Sequence, residues 1–134
     1  MKIIVGQGSC GLAAGAGKVY EALKSQLGSE ELLGITGCIG MCYLEPIVEL
    51  KDDAGNLVKR LVRVTADDAE AIVKAANGDL AAVDHLVISA DDASFLDQQT
   101  RIALRNCGVI DPTSIDAYIA AGGYEGLKKV LGGM

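Results

Sequence analysis

The sequence predicts an α/β fold, a four-stranded mixed sheet with two helices, followed by a short helical extension. Two observations carry this expectation. Apolar runs bounded by glycine, proline or aspartate recur four times before residue 65, with a helical pattern between the first two and a hairpin turn between the last two. A strand–helix–strand start, then a hairpin and a covering helix, leaves few ways to arrange one sheet.

The elements follow in order. Lys2 to Val5 reads as a buried strand. Leu12, Ala16, Val19, Tyr20, Leu23 and Leu27 then repeat at helical spacing, and Gly28 closes a single helix. Glu31 to Ile35 is the second strand, and Glu45-Pro46 breaks the chain beyond it. Ile47–Leu50 and Leu57–Val64 form two strands joined through Asp53-Ala54-Gly55-Asn56. Thr65-Ala66-Asp67-Asp68 reads as a capping box for a helix carrying Ala69, Ile72, Val73 and Ala76, which stops near Gly78.

The remainder changes character. Leu86-Val87-Ile88-Ser89 is a short apolar run, and a helix is expected between Ser94 and Asn106 with Phe95, Ile102 and Leu104 on it. Asp111 as N-cap and Pro112 as first residue start another helix, with Ile115, Tyr118 and Ile119 on its apolar face and Gly122-Gly123 at its end. Tyr124 to Leu131 is a last short helix. The expected division is residues 1–80 as one domain and 81–134 as an extension too small for its own core. That extension should pack on the first domain or on sequence further downstream.

Composition narrows the function. Half of the 134 residues are apolar but only 4% are aromatic, so the core is built from Val, Ile, Leu and Ala. A formal charge of −6 argues against nucleic acid or an anionic membrane surface as partner. From Ala66 to Gln99 the only Lys or Arg is Lys74, a pattern that suits a solvated face or a dock for a basic partner. No export signal and no stretch of membrane-spanning length is present, so a cytoplasmic protein without membrane insertion is expected. Structural disulfides are rare there, and loop cysteines are more often ligands or redox groups.

Three cysteines sit on glycine-rich turns that follow predicted strands. Cys10 lies in Gly6-Gln7-Gly8-Ser9-Cys10-Gly11, and Cys38 and Cys42 lie in Thr36-Gly37-Cys38-Ile39-Gly40-Met41-Cys42-Tyr43. Glycine allows unusual backbone angles and lets amide N–H groups approach sulfur, which suits a bulky iron–sulfur ligand. The three thiols admit a cluster, a cluster-free remnant, or zinc or thiol redox chemistry. A cluster needs a fourth ligand, which comes from Ser9, from a partner chain, or not at all. Met41 and Tyr43 flank the turn and are expected to shield it. Gly6-x-Gly8-x-x-Gly11 also matches a dinucleotide fingerprint in form, with Glu30 or Glu31 near the acidic position, but a hairpin follows where a second mononucleotide unit should stand. The lone histidine, His85, carries no catalytic expectation.

Cys10-Gly11-Leu12-Ala13-Ala14-Gly15-Ala16 with Thr36 to Pro46 resembles the thioredoxin-like [2Fe–2S] ferredoxin domain fused to flavoprotein subunits akin to the NADH-binding subunit of respiratory complex I. Such subunits serve NAD-linked hydrogenases, formate dehydrogenases and related soluble complexes. Asp97 to Pro112 and Tyr118 to Leu127 resemble the start of the flavoprotein module. The resemblance implies an electron-transfer role, a [2Fe–2S] cluster on Cys10, Cys38 and Cys42, and partners among the other subunits of a multisubunit oxidoreductase. It leaves a homodimer open. It also implies that the FMN and NAD sites lie downstream of Met134, so that this chain reads as the N-terminal part of a longer subunit. The later cysteine pair is intact as Cys38-x3-Cys42, but Val5 stands where the earlier pair should begin, and Cys107 falls at a packing position. A docking domain that has lost its cluster is the alternative.

Overall fold

The computed structural model describes residues 1–29 and 31–133. Four strands, β1 (Lys2–Gly6), β2 (Leu33–Thr36), β3 (Val48–Lys51) and β4 (Leu57–Leu61), form one sheet in the order β2-β1-β3-β4. β1 and β2 are parallel, with Ile3 opposite Leu33 and Val5 opposite Ile35. β3 runs antiparallel to both β1 and β4.

Alternation along the strands sends Ile3, Val5, Val48 and Leu50 to one face. Two helices cover that face. α2 (Ala16–Leu27) buries Ala16, Val19 and Leu23, and α3 (Ala69–Ala76) buries Ala69, Ile72, Ala75 and Ala76. Val83 and Leu86 join the same core from a 3-10 stretch, Leu80–Leu86. On the opposite face Glu49 is buried but paired with Arg60 at 2.8 Å and Lys51 at 3.3 Å. A smaller apolar cluster of Ile39, Met41, Leu44, Ile47 and Leu96 lies under the double-cysteine turn.

Several local expectations hold. The hairpin turns through Gly55 at φ 86°, with Asp52 accepting from Asn56. Thr65 and Asp68 close the capping box by reciprocal hydrogen bonds. Others are corrected. The first helix is two: α1 (Ser9–Ala14) ends at Gly15, whose φ of 108° only glycine adopts readily, and α2 starts there. Leu12 is therefore off the packed face and exposed. β4 ends at Leu61, because Arg63 at φ 53° turns the chain. The apolar run after it bridges to the β4 edge, Leu61 opposite Val87.

In the extension, α4 (Ala90–Asp97) is capped by Ser89 and stops well short of Asn106. α5 (Ile115–Ala120) is capped by Ser114, not Asp111, whose carboxylate instead accepts from Thr113 N–H at 2.8 Å. α6 (Glu125–Leu131) follows a turn in which Tyr118 and Tyr124 meet edge to face at 5.0 Å. Hydrogen bonds tie residues 81–134 to the sheet and to the cysteine loops: Val62 N–H to Leu86 O at 2.8 Å, Ile88 N–H to Arg60 O at 3.0 Å, Thr36 Oγ1 to Ile110 O at 2.9 Å, and Tyr43 OH to Asp92 at 2.6 Å. Ile102, Leu127, Val130 and Leu131 stay exposed.

Leu50 has 0% exposure at the centre of the main core. Leu50→Ala should lower unfolding free energy by about 2–5 kcal/mol in urea titration. A loss under about 1 kcal/mol would mean that this core is loosely packed.

Candidate metal centre

Cys10 and the pair Cys38 and Cys42 leave the same end of two neighbouring parallel strands. Gln7 N–H bonds Thr36 O at 2.8 Å, so the two loops start hydrogen-bonded together. Gly8 then lies against Cys38: a Cβ there would meet Cys38 Cβ at 2.8 Å and its nitrogen at 2.9 Å. Only glycine permits that approach. Cys10 sits in the first turn of α1, not in an open loop as its glycine-rich surroundings suggest.

The second loop reverses at Gly40, φ 96°, and its N–H donates to Cys38 Sγ at 3.3 Å. Cys42 opens a 3-10 turn, Cys42–Leu44, and a cis peptide joins Glu45 to Pro46. Cys38 Sγ and Cys42 Sγ are 3.6 Å apart, and all three sulfurs lie within 4.8 Å of one another. Cys10 and Cys38 are half-buried and Cys42 is exposed. The sequence-predicted thiols are thus brought together, while Cys107 stands outside the group and faces a separate cavity of about 280 Å³ with Gly37, Pro112 and Tyr118.

Burial, then hydrogen bonds to Cys38 and Cys42 and the nearby charge of Cys38 and Glu45, push the Cys10 thiol up to about 12. Without a cation this sulfur stays protonated at neutral pH. Metal ligation requires the thiolate, so binding here would expel a proton. In chemistry the set fits a [2Fe–2S] cluster: soft thiols on glycine-rich loops, an amide N–H aimed at one sulfur, and an apolar floor.

One site residue was not singled out from the sequence. Glu45 served there only as a chain break before Pro46, yet its side chain is buried and touches Cys10 Sγ through Oε1 at 3.8 Å. Its Oε2 accepts from Ile47 N–H at 2.8 Å. Burial raises its pKa, with the Ile47 N–H and the Cys10 thiol pulling it back. Spacing carries no signal for a buried carboxylate; the turn must be folded before it shows.

The flanking residues divide. Met41 is 2% exposed and belongs to the apolar cluster beneath the turn, whereas Tyr43 is 60% exposed and is held by Asp92. The shield is therefore Met41. His85 is exposed and lies 3.8 Å from Asp68, outside the thiol group. The dinucleotide expectation is weakened by what its glycines touch. Gly8 packs on Cys38, and a Cβ on Gly11 would lie 2.5 Å from Gly6 O and 3.1 Å from Glu45 Oε2. Glu31 is exposed, and Glu30 lies outside the described residues.

No family model matches the chain. A segment of 34 residues is 74% identical to the NADP-reducing hydrogenase subunit HndC of Solidesulfovibrio fructosivorans, covering 25% of this chain and 7% of that subunit. The chain therefore matches a small fraction of that relative's length. Among solved structures, the thioredoxin-like [2Fe–2S] ferredoxin of Aquifex aeolicus superposes with a TM-score of 0.52 at 24% identity, covering 66% of this chain and 89% of the ferredoxin. A cysteine-to-serine variant of that ferredoxin gives 0.51 at 22% identity, over 66% and 97%. The fold is that of the thioredoxin-like ferredoxins.

Alkylation of the metal-free protein at pH 8 should label Cys42 well before Cys10. Against an ordinary thiol near 9.0, a value of about 12 leaves Cys10 roughly a thousandfold less thiolate, and thiolate is the nucleophile. Peptide mass spectrometry reads the order, and equal rates would contradict the enclosure of Cys10.

Proposed function

We propose that this chain is an electron-transfer module that holds a [2Fe–2S] cluster on Cys10, Cys38 and Cys42. The observation that carries the reading is the convergence of the three sulfurs within 4.8 Å at the end of a ferredoxin-like sheet. A bound cluster would supply a one-electron carrier, so neither a general base nor a nucleophile is required of the protein. The chain's own residues supply the rest. Gly40 N–H donates to Cys38 Sγ, and such bonds raise a cluster's potential. Met41, Leu44 and Ile47 keep water from the buried side. Cys42 is exposed, which makes its side the natural approach for a redox partner.

The match to a hydrogenase subunit supports a place in a multisubunit oxidoreductase that exchanges electrons with a nicotinamide nucleotide. In that assembly residues 1–80 would form the ferredoxin-like unit, and 81–134 would begin a flavoprotein module. Unpaired thiols suit the reducing cytoplasm. Among the described residues no helix is long and apolar enough to cross a membrane.

One observation favours a second reading. Val5 has 0% exposure in the main core, so the position of a fourth cysteine is spent on packing. A cluster-free docking domain would look the same in that respect. Anaerobic reconstitution with iron and sulfide separates the two. The cluster reading expects visible absorbance and about two irons per chain, both abolished in Cys38→Ala and Cys42→Ala. A colourless, iron-free product with all its thiols titratable would leave docking as the function.

A further inference from the structure

Two buried acids in this protein are treated differently. Glu49 is neutralised by Arg60 and Lys51. Glu45, 8% exposed, has no basic partner among the described residues; its neighbours are a backbone N–H and a thiol. A buried carboxylate without a compensating positive charge is costly. The side chain is also held in place. Oε2 is anchored on Ile47 N–H, and Gly6 and Gly11 leave the slot in which the carboxylate lies.

We propose that the Glu45 carboxylate supplies the fourth protein donor to the centre held by Cys10, Cys38 and Cys42. The proposal rests on the cluster reading above. Two donors on one tetrahedral metal with bonds near 2.0–2.3 Å stand about 3.5–3.8 Å apart. Cys38 and Cys42 are 3.6 Å apart, and Cys10 Sγ and Glu45 Oε1 are 3.8 Å apart. Glu45 Oε1 thus stands at a co-ligand distance from Cys10 Sγ, as Cys38 and Cys42 do from each other, and Cys10 Sγ itself lies within 4.8 Å of both. Two competing positions are poorly placed: Val5 is in the core, and Cys107 stands outside the thiol group; Ser9, exposed like Cys42, is set against Glu45 in the test below.

The test is Mössbauer spectroscopy of the chain reconstituted anaerobically with iron-57 and sulfide, as wild type, Glu45→Cys, Glu45→Gln and Ser9→Ala. Gln keeps an acceptor for Ile47 N–H, and circular dichroism confirms folding of each variant. Mixed ligation predicts two unlike iron sites in wild type and in Ser9→Ala. It predicts two nearly alike sites in Glu45→Cys, and at least about tenfold faster loss of iron to a chelator in Glu45→Gln. Two alike sites in wild type, or a Glu45→Gln spectrum and iron retention equal to wild type, overturn the carboxylate ligand while leaving the cluster reading standing. A spectrum altered in Ser9→Ala but not in Glu45→Gln overturns it in favour of the hydroxyl. Wild type that takes up no iron sinks the cluster reading, and this proposal with it.

Discussion

The parallel pairing of β1 with β2 is the constraint from which the site follows. Parallel neighbours release their chains at the same end of a sheet. The loop after Gly6 and the loop after Thr36 therefore emerge side by side, joined by Gln7 N–H on Thr36 O. Had the strands been antiparallel, Cys10 and Cys38 would leave from opposite ends. The contact of Gly8 with Cys38 then sets how close the loops come, and a side chain at position 8 would hold them apart.

The energetics of fold and site are largely separate. The main core is formed by the sheet and its two covering helices and contains none of the three thiols. The thiol loops rest on the smaller cluster of Ile39, Met41, Leu44 and Ile47, to which α4 adds Leu96. That contact, with Tyr43 on Asp92 and Thr36 on Ile110, links the later segment to the site, while Val83 and Leu86 link it to the main core.

Much of this was legible in the sequence where local chemistry decides structure. Val5, Ile35 and Leu50 mark strands by their apolar runs, Gly55-Asn56 marks the hairpin, and Thr65 with Asp68 marks a helix start; each is found in the structure. What failed depended on competition between neighbours. Ser114 wins the cap of α5 from Asp111, because Thr113 occupies that carboxylate. Gly15 splits one periodic pattern into two helices by adopting a left-handed angle that periodicity ignores. The nearness of the thiols was readable from strand–loop order, but the burial of Glu45 against Cys10 depends on a fold that brings residues 35 positions apart together.

The place of Val5 keeps that position out of the thiol group. Its side chain lies on the helix-covered face of β1, packed in the main core, whereas the three sulfurs gather beyond the end of the strand. A thiol at position 5 would lie in the apolar layer, where its metal-binding anion is disfavoured. A donor that serves the centre has to come from the loops, where backbone N–H groups and glycine slots can hold it. Glu45 meets that condition, since the turn that presents Cys42 also carries the carboxylate to Cys10.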